Sequence, residues 1–128
     1  MESSRPRILC VEDDQDTCEL LAIALGMEGY DVVSAHTLAE GLSLAKTGGF
    51  ALYIVDNWLP DGTGVELCEQ IRAFDTHTPI IFYSAAAFNS DREEAIRAGA
   101  QAYLVKPIGV LELGQIVARI LGRRRRHR

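Results

Sequence analysis

Five short runs along the chain, at 8–11, 31–35, 52–55, 79–83 and 102–105, are apolar and largely β-branched or aromatic. Runs of this length and composition predict buried strands. Between them, apolar residues recur at helical spacing: Cys18, Leu21, Ala22 and Leu25, then Gly64, Leu67, Cys68 and Ile71, then Leu113, Ile116, Val117 and Ile120. Each set forms one apolar stripe along a helix. Thr37 with Glu40, and Ser90 with Glu93, have the spacing of capping boxes at helix starts, and Gly29, Gly48 and Gly99 stand where helices should end. Strict alternation of strand and helix predicts an α/β fold with a five-stranded parallel sheet and helices on both faces, because parallel neighbours need crossovers that cover the sheet.

Composition narrows this to one domain. The chain has 128 residues, 48% of them hydrophobic, enough for a single core and not for two. The domain is expected over 1–122. The basic end 123–128 is expected to be a disordered tail or the start of a linker. No apolar run approaches the roughly 18 residues of a membrane span, and the opening MESSRPR lacks a secretory signal, so a cytoplasmic location is expected. The net charge of -5 hides an asymmetry: without Arg123, Arg124, Arg125, Arg126 and Arg128, 8 basic residues face 18 acidic ones. So acidic a body does not attract nucleic acid, and any such contact would fall to the tail. Cys10, Cys18 and Cys68 are odd in number and form no CxxC pair, so they read as small core residues.

The chemistry gathers at one edge. In open α/β sheets, ligands bind beyond the carboxyl ends of the strands. Glu12, Asp13 and Asp14 follow the first strand, Asp56 ends the third, Ser84 follows the fourth and Lys106 follows the fifth. Carboxylates forced together need a hard divalent cation or an ammonium to offset their repulsion. Mg2+ suits a few carboxylates at a loop-rich edge shared with phosphate, and Lys106 can bind a phosphoryl oxygen. Asp56, held at the end of a rigid apolar strand, is the better nucleophile, while Glu12 and Asp13 are placed to grip the metal. For Asp14, helix capping is the better reading.

These residues resemble the receiver domain of bacterial two-component response regulators. The resemblance runs from Ile8 to Leu121 and rests on ILCVEDD, VDNWLPDGTG, IIFYSA and YLVKP, in that order. It implies the flavodoxin-like strand order 2-1-3-4-5. It implies that Asp56 accepts a phosphoryl group from a sensor histidine kinase or a histidine phosphotransfer protein, in a switch rather than a metabolic enzyme. Mg2+ would be held by Glu12, Asp13, Asp56 and the backbone carbonyl of Trp58. Ser84 and Tyr103 would be the switch residues, the Tyr103 ring swinging inward as Ser84 moves toward the phosphoryl group. Lys106 would hold that group, with the Lys106 to Pro107 bond cis. The surface read by an unknown downstream protein, or by a second copy in a homodimer, would be the fourth helix, fifth strand and fifth helix, roughly 89–121. No direct DNA binding by the domain is implied. Trp58 is larger than the family usually carries there, and Ala86 offers no polar group to position water, so slow loss of the phosphoryl group is expected.

Simpler roles compete at several positions. Trp58 on its own is expected to be a partly covered apolar residue. Ser84 could satisfy local backbone at a strand end, and Tyr103 could be sheet packing. His36, His77 and His127 lack ligand spacing. Gly62, Thr63 and Gly64 read as the turn before the third helix. As a whole-protein alternative, a receiver-like scaffold would work without phosphorylation, but it would have no need of Asp56, Lys106 and the acidic pair. A phosphate-ester hydrolase would need a lid that these short loops do not provide.

Overall fold

The computed structural model describes residues 5–122; the basic end 123–128 lies outside them. The five strands are β1 (Arg7–Val11), β2 (Asp31–Ala35), β3 (Leu52–Val55), β4 (Ile80–Ser84) and β5 (Ala102–Val105). All pair in parallel in the order β2-β1-β3-β4-β5, as the alternation and the resemblance predict. The fourth strand begins one residue later than expected and takes in Ser84. Between the strands lie α1 (Gln15–Met27), α2 (Leu38–Thr47), α3 (Gly64–Arg72), α4 (Asn89–Ala98) and α5 (Val110–Ile120). A two-stranded hairpin, Trp58–Leu59 with Gly62–Thr63, stands between β3 and α3.

The pleat sends alternate residues to opposite faces, which builds two cores. Leu9, Val11, Tyr53, Val55 and Phe82 pack with Ala45, Leu67, Cys68, Ile71 and Ala95, beneath α2, α3 and α4. Ile8, Cys10, Leu52, Ile54 and Ile81 pack with Leu21, Leu25, Leu113 and Val117, beneath α1 and α5. All three cysteines are buried and free, as core residues should be.

The helix punctuation agrees at most ends. Asp14 caps α1, and Gly29, Gly48 and Gly99 follow helix ends with positive φ. Thr37 caps α2 by accepting from the Glu40 N–H, but Glu40 reaches one residue further back, to the His36 N–H. The full capping box belongs instead to Thr63 and Glu66 at α3. Ser90 and Glu93 do not cap α4, which starts earlier: Asp91 accepts from the Phe88 N–H, and Ser90 lies inside the first turn.

At the edge away from the strand ends, the Tyr53 hydroxyl donates to Asp75 Oδ2 at 3.0 Å. Burial and this bond push the Tyr53 hydroxyl up to about 12. Burial works against the Asp75 carboxylate too, but hydrogen bonds from Thr78, His77 and Tyr53 outweigh it and hold its pKa at about 2. The depressed Asp75 therefore contributes stability above its ordinary value near ~4, which is lost as pH falls toward 2, and the raised Tyr53 contributes below ~10, lost as pH rises toward 12. Tyr53→Phe should therefore lower the melting temperature by a constant amount between about pH 4 and 10. That difference should shrink at both extremes in pH-dependent thermal melts; a difference that persists at pH 2 would refute the coupling.

Candidate functional site

The residues predicted at the edge converge there for a simple backbone reason. Glu12, Asp56 and Lys106 each stand one residue beyond a strand, yet their N–H groups still bond to the last residue of a neighbouring strand. Glu12 N–H donates to the Ala35 carbonyl at 2.9 Å, Asp56 N–H to the Val11 carbonyl at 3.0 Å and Lys106 N–H to the Ser84 carbonyl at 2.9 Å. The ladder thus holds the backbone of all three, while their side chains lie beyond the apolar layers.

One carboxylate oxygen each from Glu12, Asp13 and Asp56 lies within 4.8 Å of the others. Glu12 and Asp56 are buried, at 2% and 8% exposure, whereas Asp13 is exposed. Lys106 Nζ donates to Glu12 Oε1 at 2.7 Å and lies 3.7 Å from Asp56 Oδ2. Burial pushes the Glu12 carboxyl above its ordinary value, against the hydrogen bonds from Lys106 and the Asp14 N–H. Burial disfavours the Lys106 ammonium, but the Glu12 bond and the charge of Asp56 prevail and raise its pKa. The cluster is thus an anionic concentration with one ammonium. Its donors are all hard oxygens, which fits a hard divalent cation and no soft metal.

Ser84 is fully buried at the end of β4, and its Oγ accepts from the Ala86 N–H at 3.2 Å. The local backbone bond is therefore present, and the hydroxyl also bonds to the Tyr103 side chain. Tyr103 is already inward: the ring is 5% exposed and stacks on Phe82 at 5.6 Å, and its hydroxyl donates to the Ala86 carbonyl at 2.7 Å. The Arg92 guanidinium covers the ring at 5.7 Å. Burial raises the Tyr103 hydroxyl pKa, so it remains a donor. The Lys106 to Pro107 bond is cis.

Trp58 departs from expectation. The residue is 58% exposed, while its hairpin neighbour Leu59 is buried. Next to it, Asn57 is buried at 3% exposure, with an Oδ1 that has no hydrogen-bond partner among the described residues. His36 also does more than its spacing suggested: its Nδ1 lies 3.1 Å from the Glu12 carbonyl, which can only accept, so Nδ1 carries the hydrogen. That bond stabilises the protonated ring and raises its pKa. Gly64, the first residue of α3, lies so close to Asp56 that a Cβ would stand 2.6 Å from the Asp56 carbonyl oxygen. No helix among the described residues is long and apolar enough to cross a membrane.

The family model for the response regulator receiver domain matches residues 8–118. The chain belongs to the response regulator receiver domain family. Among relatives of this receiver domain, the KDP operon transcriptional regulatory protein KdpE of Escherichia coli is 40% identical over 94% of the chain and 52% of its own length. The transcriptional regulatory protein TrcR of Mycobacterium tuberculosis is 34% identical over 98% of the chain and 48% of its own length. The chain therefore spans about half the length of these curated relatives. Among solved structures, a CheY-like receiver domain from Methanospirillum hungatei superposes with a TM-score of 0.90 at 32% identity, covering 93% of this chain and 95% of that one. The non-phosphorylated HemR receiver domain of Leptospira biflexa gives 0.87 at 33% identity, covering 97% of this chain and 100% of that one. The receiver domain is a signalling module of two-component systems, and the acidic pocket at its strand ends is where such domains bind Mg2+.

Proposed function

We propose that this receiver domain is a phosphorylation-controlled switch in which Asp56 accepts a phosphoryl group from a phosphohistidine of a sensor histidine kinase or a histidine phosphotransfer protein. The observation that carries the reading is the Lys106 ammonium, which joins Glu12 at 2.7 Å while standing 3.7 Å from Asp56. A cation so placed can leave one carboxylate for a phosphoryl oxygen without moving its backbone. An Asp56 oxygen would form the new bond to phosphorus as the P–N bond of the donor breaks. Glu12, Asp13, Asp56 and the Trp58 carbonyl would hold Mg2+, which supplies charge neutralisation for the incoming phosphoryl group. Ser84 would turn its hydroxyl toward the new anion, and the Ala86 segment, tied to Tyr103, would carry the change to α4, β5 and α5. That surface would be read by a downstream protein or by a second copy. Catalysis would extend no further than gain and loss of the group at Asp56.

The test is intact mass after incubation with Mg2+ and acetyl phosphate. A single phosphoryl adduct is expected, absent from Asp56→Asn and absent when Mg2+ is chelated. No adduct under any condition would favour a phosphorylation-independent scaffold, and turnover of donor without adduct would favour a hydrolase. Once formed, the adduct should decay slowly, because Asp56 is only 8% exposed and Ala86 has no polar side chain to orient water.

A further inference from the structure

The start of α2 touches both sides of the acidic pocket. Four N–H groups at a helix start lack intrahelical partners, and here those of Leu38, Ala39 and Glu40 are taken by side chains. Thr37 Oγ1 takes the Glu40 N–H in the ordinary manner of a cap. The other two are taken from across the fold: Asp61 Oδ1 accepts from Leu38 N–H at 2.7 Å, and Asp61 Oδ2 accepts from Ala39 N–H at 3.0 Å. Asp61 stands at the tip of the hairpin whose first residue is Trp58. On the other side of α2, Glu40 fixes the His36 N–H at 2.9 Å, and the His36 ring donates to the Glu12 carbonyl at 3.1 Å.

We propose that Asp61 is a positioning residue, whose carboxylate fastens the Trp58 hairpin to the α2 N-terminus and so sets where the Trp58 carbonyl stands relative to the Glu12 and Asp13 carboxylates, whose own spacing from Asp56 is fixed by the sheet. The inference rests on the reading of the pocket as a Mg2+ site. Because Asp61 comes from the hairpin and not from the chain leading into α2, its two bonds do more than cap the helix: they hold the hairpin against it. The contact is also close: a Cβ on Gly62 would stand 2.7 Å from Leu38 Cδ1 and 2.6 Å from Glu66 Oε1, so the hairpin, α2 and α3 meet without slack. The path from Asp61 through Leu38 and Ala39 to Glu40, His36 and Glu12 is continuous through hydrogen bonds of 2.7 to 3.1 Å. Released at Asp61, the hairpin would stay anchored to β1 at Asp56 but lose its hold on α2.

The test is a thermal-shift titration with MgCl2 against NaCl of equal ionic strength. The melting temperature without Mg2+ reports any structural loss, and its dependence on Mg2+ concentration reports affinity. Asp61→Ala is expected to raise the half-saturating Mg2+ concentration about tenfold, the scale on which partners of metal ligands act. Asp61→Asn, which keeps one acceptor oxygen, should fall between. Thr37→Ala weakens the same helix start without touching the hairpin and should lower the basal melting temperature while leaving half-saturation unchanged. Wild-type half-saturation in folded Asp61→Ala, or an equal change in Thr37→Ala, would overturn the proposal. A wild-type protein indifferent to Mg2+ would instead remove the metal reading itself, and this inference with it.

Discussion

Gly64→Ala is expected to slow adduct formation at Asp56 by about 100-fold, the scale of a misplacement near 1 Å, and to destabilise the fold by about 2 kcal/mol. The added methyl would stand 2.6 Å from the Asp56 carbonyl oxygen, 2.8 Å from Phe82 Cε2 and 3.1 Å from the Asn57 Cα. Two of these are backbone atoms of the site, and neither can withdraw freely. Asp56 N–H is bonded to Val11, and Gly64 N–H itself donates to the Asn57 carbonyl at 2.8 Å. The strain must therefore displace α3, Asp56 or the Phe82 ring on which Tyr103 stacks. Circular-dichroism melts and intact-mass time courses would measure both effects. Gly26→Ala is the control, since nothing lies within 4 Å of its Cβ position in the last turn of α1, and it should be neutral or slightly stabilising. Wild-type phosphorylation of a folded Gly64→Ala would show that the close approach does not govern Asp56.

Lys106→Met should act on both stability and chemistry. It leaves Glu12, with a side chain 3% exposed, as a buried carboxylate without its ammonium and still beside Asp56. Breaking one partner of a buried pair costs about 3 kcal/mol. Phosphorylation should also slow by about 10²-fold or more, because the positive group aimed at the incoming phosphoryl oxygens is gone. The two effects separate with metal: added Mg2+ should recover more stability in Lys106→Met than in the wild type, since the cation then has the acidic cluster to itself, while the rate stays low. Equal Mg2+ stabilisation of the two proteins would argue that Lys106 and the metal do not share the carboxylates.

The parts of the molecule that were legible in its sequence are those written at short range. An apolar run that stops at a charged residue marks a strand end, and Glu12, Asp56 and Lys106 each follow such a stop. Parallel pairing then brings the stops to one edge without further information. The α3 box at Thr63 and Glu66 was equally open to reading, whereas Ser90 and Glu93 have the same spacing and no capping role. That spacing alone cannot distinguish a helix start from a position two residues inside one. Asp61 and His36 were not legible because their partners lie 22 to 24 positions away, at Ala39, Leu38 and Glu12. Trp58 misled for a different reason: in a two-residue strand the alternation buries Leu59 and leaves Trp58 exposed, and hydrophobicity alone does not say which of the two is covered.

The three bonds that tether Glu12, Asp56 and Lys106 to neighbouring strands also divide the molecule into a side that keeps time and a side that does not. Where those tethers close, adding or deleting one residue within a strand turns every side chain beyond it to the opposite face. At the far edge, around Gly48 and Gly49 or Thr76 and His77, exposed turns join elements without any such tether to the pocket. Changes in chain length are therefore absorbed there, and the spacing of the reactive groups is inherited unaltered from the sheet.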